Sequence, residues 1–371
     1  MTATKGLEGV VATTSSVSSI IDDTLTYVGY DIDDLATNAS FEEVIYLLWH
    51  GALPNKSQLA ELTKQLAENA EIPAEVVNHF KTYPIDKVHP MGALRTAISL
   101  LGLYDEEADV MSEEANYRKA IRIQAKIPTL VTTFARTRQG KEAVAPRTDL
   151  SFAANFLYML SGNEPTAIEE EAFNKALVLH ADHELNASTF TARVCVATLS
   201  DIYSGVTSAI GALKGPLHGG ANEQVMKMLT EIGSVENVEP YINEKLANKE
   251  KIMGFGHRVY RKGDPRAKHL KEMSQKLTEL TGQPQYYEMS TKIHEIVTGQ
   301  KNLPPNVDFY SASVYHSLGI EHDLFTPIFA VSRASGWIAH ILEQYSNNRL
   351  IRPRAEYVGP GMQKYVPIEN R

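Results

Sequence analysis

The sequence has a single cysteine, Cys195, among 371 residues, so the chain forms no disulfide within itself and suits a reducing compartment. It also lacks any apolar run approaching the roughly 20 residues that a membrane-spanning helix needs. Residues 1–23 contain one lysine and no arginine, and they resemble neither a secretory signal nor an Arg-rich transit peptide. These absences predict a cytoplasmic protein with no membrane partner.

An excess of positive charge is missing as well. The formal net charge is -9, which argues against a nucleic-acid partner because such a partner favours a basic face. A cleft on an acidic protein can still be locally positive, so an anionic small substrate remains compatible with this composition.

Strand signals are scarce, and they are confined to a minor β-ribbon near the N-terminus, predicted over 9–13 and 25–30. Helix signals dominate the rest of the chain. Capping boxes begin at Ser40 and Thr166, and Asp264 precedes a proline in a pattern typical of a helix start, with Gly282 as the stop. The alternation of a doubly wound sheet is absent. The prediction is an all-α fold.

The first cluster with chemical potential is His180-Ala181-Asp182-His183-Glu184. On a helix its two histidines would share one face, which is compatible with a metal site. The chain lacks further cysteines and the H-E-x-x-H pattern, so the metal hypothesis is weak. The competing interpretation is a pair of core histidines satisfied by hydrogen bonds.

The second cluster is the glycine-rich segment 215–222, in which His218 precedes a helix predicted from about 221 to 232. A helix N-terminus disfavours positive charge and would keep this imidazole neutral. A neutral imidazole can still donate one hydrogen bond to a developing oxyanion. A glycine-rich turn with an incidental histidine is the alternative.

A third cluster, 253–266, combines flexible glycines with positive charge. The glycines permit close approach of the backbone to a ligand, and cations suit phosphates and carboxylates. A solvated basic loop is the alternative. The residues of interest are Gly254, Phe255, Gly256, His257, Arg258, Arg261, Lys262 and Arg266.

Three further residues stand out towards the C-terminus. Asp308 is a lone acid among apolar and hydroxylated neighbours, where burial would raise its pKa and make it a better base; an ordinary helix N-cap is the alternative. Arg333 lies in an apolar setting and Arg352 in an Arg-Pro-Arg run. Each is either a paired, functional guanidinium or part of a surface salt bridge.

Taken together and in this order, the motifs resemble the citrate synthase family, in the shorter form found in Gram-positive bacteria and archaea. The stretches that carry the resemblance are HADHELNAST, GPLHGGAN, GFGHRVYRKGDPRA, NVDFYSA, VSRASGW and IRPRAEYVGP. The resemblance implies a two-domain helical fold, with a small domain at 217–322 and a large domain built from 1–216 and 323–371. It also implies a homodimer whose two subunits share their active sites.

The resemblance implies condensation of acetyl-CoA with oxaloacetate, with CoA as a co-substrate, no permanently bound cofactor and no metal. His218 would polarise the thioester carbonyl, Asp308 would remove the methyl proton, and His257 would donate to the oxaloacetate carbonyl. His183, Arg266, Arg333 and, from the other subunit, Arg352 would bind oxaloacetate. The CoA contacts would be Gly254, Phe255, Gly256, Arg261 and Lys262.

Two alternatives remain. A 2-methylcitrate synthase would use propionyl-CoA with the same catalytic set, and one methylene is worth only about 1–3 kcal/mol in a pocket. A metal-binding helical protein with His180, Asp182 and His183 as ligands belongs to another class, and it leaves Asp308 and Arg333 unexplained.

Overall fold

The computed structural model describes residues 5–7, 9–257, 259–260 and 262–371. Helices dominate this part of the chain, as predicted, and one small antiparallel sheet lies near the N-terminus. Its three strands are β1 (Ser18–Ile21), β2 (Thr24–Tyr27) and β3 (Tyr30–Asp31), in the order β1-β2-β3. The register places Ser18 opposite Tyr27, and Thr26 opposite Asp31.

The α-helices are α1 (Ile32–Asn38), α2 (Phe41–His50), α3 (Lys56–Glu68), α4 (Ala74–Phe80), α5 (Pro90–Leu103), α6 (Glu113–Arg138), α7 (Phe152–Ser161), α8 (Ala167–His180), α9 (Ala187–Val196), α10 (Ile202–Leu213), α11 (Ala221–Ile232), α12 (Val238–Ala247), α13 (Ala267–Leu280), α14 (Gln285–Lys301), α15 (Val307–Ser317) and α16 (Phe325–Ser346). Short 3-10 helices occupy Lys5–Leu7, Ile85–Lys87, Val235–Asn237, His322–Leu324 and Ile368–Asn370.

The predicted helix starts are mostly confirmed. Ser40 and Thr166 each accept a hydrogen bond from the third helical residue, whose glutamate reaches back to the cap, so both capping boxes are complete. The prediction at Asp264 was wrong by two residues, because α13 begins at Ala267. The carboxylate of Asp264 is drawn instead into an ion pair with Arg266, described below.

The predicted ribbon is confirmed in kind but wrong in part. The stretch 25–30 overlaps β2 and the start of β3, whereas the described residues 9–13 form no strand and Ser18–Ile21 takes the pairing role. The reason is tertiary. The hydroxyl of Ser18 donates to the buried carboxylate of Asp182 (2.5 Å), and the hydroxyl of Tyr27 donates to the carbonyl of Val178 in α8 (3.0 Å).

Helix α16 forms the centre of the larger group of helices. It packs against α2, α6, α8, α9 and α10, and its middle turns, around Arg333 and Trp337, are fully buried. Helices α11, α13, α14 and α15 pack chiefly on one another, and α13 meets α8 while α11 meets α16. The line between the two groups falls near the predicted 217–322 boundaries, which remain a prediction. None of the described helices is both long and apolar enough to cross a membrane.

Candidate active site

Five chain segments supply the predicted site residues. His183 follows α8, His218 precedes α11, His257 and Arg266 lie in the segment before α13, Asp308 is the second residue of α15, and Arg333 is in α16. The rings of His183 and His257 lie 5.1 Å apart, centre to centre. The charges of Arg266 and Arg333 both influence His183 and Asp308, so these residues share one electrostatic environment.

His218 is fixed as a neutral ring with a defined tautomer. The backbone N–H of Ser188, in the first turn of α9, donates to Nε2 of His218 (3.2 Å), so that nitrogen carries no proton. The proton of the neutral ring therefore sits on Nδ1, which remains a donor. Burial, followed by the nearby charge of Arg333, lowers the pKa of His218 to about 4. The predicted neutral donor before α11 is thus consistent with the geometry.

Ser188 is buried and is itself held in place by neighbouring polar groups. Its hydroxyl oxygen lies 2.7 Å from Nε2 of His218 and accepts the indole N–H of Trp337 (3.0 Å). The same hydroxyl lies 2.8 Å from Oδ1 of Asn186, the N-cap of α9. Sequence reasoning missed this support. Its signal was the Asn-x-Ser-Thr pattern immediately after the first histidine cluster.

His257 is held as the opposite tautomer. Its Nδ1 accepts the backbone N–H groups of Val259 (3.1 Å) and Tyr260 (3.3 Å), which leaves the proton of the neutral ring on Nε2. Burial, followed by the charge of Arg266, lowers the pKa of His257 to about 4. The two histidines thus each present one N–H donor without carrying charge at neutral pH.

Asp308 lies in the first turn of α15, whose N-cap is Asn306 rather than Asp308 itself. Within the described part of the chain its carboxylate accepts no hydrogen bond. Burial raises the pKa of Asp308 to about 6 against the attraction of Arg266, and the neighbouring carboxylate of Asp264 adds to the rise. An unpaired carboxylate with a raised pKa is what a general base needs.

The glycine segment packs against the base helix. Gly256 donates its N–H to the carbonyl of Pro304 (2.9 Å), and Asn306 donates its N–H to the carbonyl of Gly254 (2.9 Å). Gly254 has φ +83°, and a Cβ there would lie 2.8 Å from the ring of Phe309. Glycine is therefore required both for conformation and for the close approach of α15. Phe255, which is buried, packs against Phe309 with ring centres 4.6 Å apart and ring planes tilted by 58°.

Arg266 and Asp264 form a buried bidentate ion pair. Nε and Nη2 of the guanidinium each donate to the carboxylate at 2.8 Å. Burial alone would lower the pKa of Arg266, but the charge of Asp264 outweighs it and raises that pKa above its ordinary value. Asp264 also accepts the N–H of Val307 at the start of α15 (3.0 Å), so one carboxylate orients both the arginine and the base helix.

Arg333 is buried, yet only part of its guanidinium makes hydrogen bonds. Its Nε donates to the carbonyl of His180 (2.8 Å), and its guanidinium lies over the ring of Phe329, 4.6 Å from the centre. Burial lowers the pKa of Arg333 to about 10. Its two Nη groups have no hydrogen-bond partner among the described residues, which makes them available to an anionic ligand.

The remaining predicted residues lie elsewhere or outside the described chain. Arg352 and Lys262 are exposed, and neither takes part in the hydrogen bonds of this cluster. Arg258 and Arg261 lie outside the described residues. His180 ends α8 and is fully buried, with its Nδ1 bonded to the carbonyl of Ala176 (2.7 Å).

The metal hypothesis finds no support in this arrangement. The described residues contain no group of three or more His, Cys, Asp or Glu side chains arranged to hold a metal ion. His183 lies in the loop after α8 rather than on a shared helix face with His180, because α8 ends at His180. Asp182 is instead engaged by Ser18 and by Nε2 of His340 (3.2 Å).

A sequence model described as the citrate synthase C-terminal domain matches residues 6–354. The chain belongs to the citrate synthase family. It is 76% identical to citrate synthase 2 of Bacillus subtilis over 371 residues, covering all of both chains, and 51% identical to the citrate synthase of Haloferax volcanii over 99% of this chain and 98% of that one. The protein is accordingly an acyltransferase.

Solved structures agree with this assignment. Citrate synthase from Pyrobaculum aerophilum has a TM-score of 0.92 and 41% identity, over 98% of this chain and 94% of that one. The enzyme from Thermoplasma acidophilum was solved as a ternary complex with carboxymethyl coenzyme A and oxaloacetate. It has a TM-score of 0.91 and 35% identity, over 98% of both chains. These matches confirm the predicted family and helical fold.

Proposed function

We propose that the chain condenses acetyl-CoA with oxaloacetate and water to give citrate and CoA. The observation that carries the proposal is the pairing of a neutral Nδ1–H donor, His218, with a carboxylate, Asp308, whose pKa is raised to about 6. A carboxylate alone is far too weak a base for the methyl group of a thioester. A hydrogen bond to the thioester oxygen lowers the cost of the enol that forms, so the two groups must act together.

In the proposed sequence, Asp308 takes a methyl proton while the Nδ1–H of His218 donates to the thioester oxygen. The enol carbon then attacks the keto carbon of oxaloacetate. The Nε2–H of His257 donates to the oxygen that becomes negative, and the resulting citryl-CoA is hydrolysed. The free energy released by that hydrolysis drives the reaction towards citrate.

Oxaloacetate binding is assigned to the cations and to His183. The free Nη groups of Arg333 and the remaining N–H groups of Arg266 offer forked donors that suit carboxylates. The pKa of His183 lies well below its ordinary value because of burial and the charges of Arg266 and Arg333, so the ring would bind as a neutral partner.

CoA binding is assigned to the segment from Gly254 to Gly256, with Arg261 and Lys262 for phosphates. The Gly254 carbonyl and the Gly256 N–H are already bonded within the protein. The backbone groups of Phe255 have no partner among the described residues, so we expect the adenine contact to use them. This assignment refines the predicted role of the glycine segment.

We further propose a homodimer in which Arg352 completes the site of the neighbouring subunit. Arg352 follows α16 in an exposed tail without regular secondary structure and contributes nothing to the described cluster of its own chain. A tail of this kind is free to cross a two-fold interface. The two-domain division at 217–322, with closure over the substrates, and a cytoplasmic location belong to the same proposal.

Use of propionyl-CoA is the second candidate. The 2-methylcitrate synthase 2 of Corynebacterium glutamicum is 41% identical over 99% of this chain and 97% of that one. The higher identities to citrate synthases favour acetyl-CoA. Steady-state kinetics with both acyl-CoAs at saturating oxaloacetate test the proposal. We expect the higher kcat/KM with acetyl-CoA, and a higher value with propionyl-CoA would contradict it.

A further inference from the structure

Tyr260 contacts both histidines that the proposed function assigns to oxaloacetate, His183 and His257. Its hydroxyl lies 3.0 Å from Nε2 of His183, and its backbone N–H donates to Nδ1 of His257. Its ring lies 5.5 Å from the first imidazole and 4.5 Å from the second, centre to centre. The side chain is only 4% exposed, so water does not compete freely for these contacts. The reaction sequence above gives this residue no part.

The hydroxyl contact joins the two helix groups of the fold. His183 follows α8 and Tyr260 precedes α13, so residues 77 positions apart meet where the two helix groups adjoin. Resting on the function proposed above, we propose that Tyr260 is a positioning residue that fixes the ring of His183 for oxaloacetate as the two sides of the cleft meet.

The chemistry of the pair supports this role. A histidine in a loop can rotate its ring, and each rotamer presents a different nitrogen to the ligand. A phenol bonded to Nε2 selects one orientation of the ring, so the ligand meets the imidazole in a single, defined position. Pre-setting the ring in this way strengthens binding because the substrate no longer has to order it. The effect belongs to oxaloacetate binding rather than to proton removal at Asp308.

The test removes only the oxygen. In Tyr260→Phe the ring packing and the backbone N–H to His257 remain, and the phenol bond is lost. We expect the KM for oxaloacetate to rise about fivefold, the value of one typical hydrogen bond, with kcat within about twofold of the native value. Calorimetric titration with oxaloacetate should show the same rise in Kd.

Tyr310→Phe is the matched control. It removes another buried phenol–imidazole bond, from Tyr310 to Nδ1 of His294 (2.8 Å), which lies on the α14 side of α15. This change should lower the thermal midpoint about as much as Tyr260→Phe while leaving the KM for oxaloacetate unchanged. A merely structural role for Tyr260 would instead make the two variants alike in KM.

The double variant His183→Asn with Tyr260→Phe supplies the second arm. If Tyr260 acts through His183, the double variant should bind oxaloacetate no more weakly than the single variant His183→Asn. An additive loss would overturn the inference, as would an unchanged KM in Tyr260→Phe. A lowered KM would also overturn it, because the phenol would then compete with oxaloacetate. If the native chain made no citrate, the proposed function would fall, while the calorimetric Kd values would still decide the role of Tyr260.

Discussion

Replacing Asp308 by asparagine should lower turnover severely and at the same time stabilise the fold. Asp308 holds its proton up to a pKa of about 6 in the native state, whereas the unfolded chain releases it near 3.8. Between these values the native state binds more protons than the unfolded state, so stability falls as pH rises. The native enzyme therefore loses stability through this window because it keeps an ionised base in a buried place, and asparagine removes that loss.

The size of the effect follows from the shift. A shift of about two pKa units, at roughly 1.4 kcal/mol each, sets an upper bound near 3 kcal/mol on the stability gained by Asp308→Asn above pH 7. Because the side chain is partly exposed, we expect a gain of about 2 kcal/mol. The gain should shrink to about half by pH 5, where the native carboxyl is mostly protonated. Thermal unfolding of the native protein and of Asp308→Asn at pH 5 and 7.5 measures this gain in stability. In the same variant, kcat should fall by about 10²-fold or more.

Asp105→Asn is a control of opposite sign. Burial would raise the pKa of the native Asp105, but hydrogen bonds from Tyr203, Glu107 and Arg122 outweigh it and lower that pKa. The ionised carboxylate therefore stabilises the fold, and Asp105→Asn should destabilise the protein at pH 7.5. A lower thermal midpoint for Asp308→Asn at pH 7.5, or turnover within about tenfold of native, would refute the assignment of Asp308 as a buried base.

Three other changes probe the supports of the site. Gly254→Ala combines a positive φ with a clash against α15 and should lower the free energy of unfolding by about 2–4 kcal/mol. Gly282→Ala, with φ +69° and open space around it, is the control and should lower it by about 1 kcal/mol. Equal thermal midpoints for the two variants would contradict the required close approach of α15 to Gly254. Asp264→Asn removes a charge that raises the pKa of the base, so the acid limb of kcat/KM should move to lower pH, and an unmoved limb would contradict the coupling. Co-folded Arg352→Ala and Asp308→Asn chains should form mixed dimers with one native site and up to half the native activity, whereas inactive mixed dimers would exclude a shared site.

Local sequence rules predicted those parts of the fold that local interactions determine. The capping boxes at Ser40 and Thr166 and the helix from Ala221 are as predicted, because each depends on residues within one turn. The strand Ser18–Ile21 and the start of α13 were misplaced. The strand depends on Asp182, far along the chain. The start of α13 depends on an ion pair with Arg266 and on the distant N–H of Val307, which together engage the Asp264 carboxylate and which helix-capping rules do not include.

The candidate site shows the same division. Its motif residues could be identified from the sequence, but the groups that fix them could not. Ser188 reaches His218 across 30 residues, Tyr260 reaches His183 across 77, and Asp264 reaches the start of α15 across 43. These bonds depend on how the helices pack, so only the structure identifies which proton each histidine keeps.

The central claim is that the neutral imidazole of His218 and the carboxylate of Asp308, whose pKa is raised, together form the enol. Nitrogen-15 NMR of the ring of His218, assigned with a His218→Gln variant, tests it most directly. The structure predicts a neutral ring with its proton on Nδ1 at pH 7, charging only as the pH falls towards about 4. A ring that is protonated at pH 7, or neutral with its proton on Nε2, would contradict it.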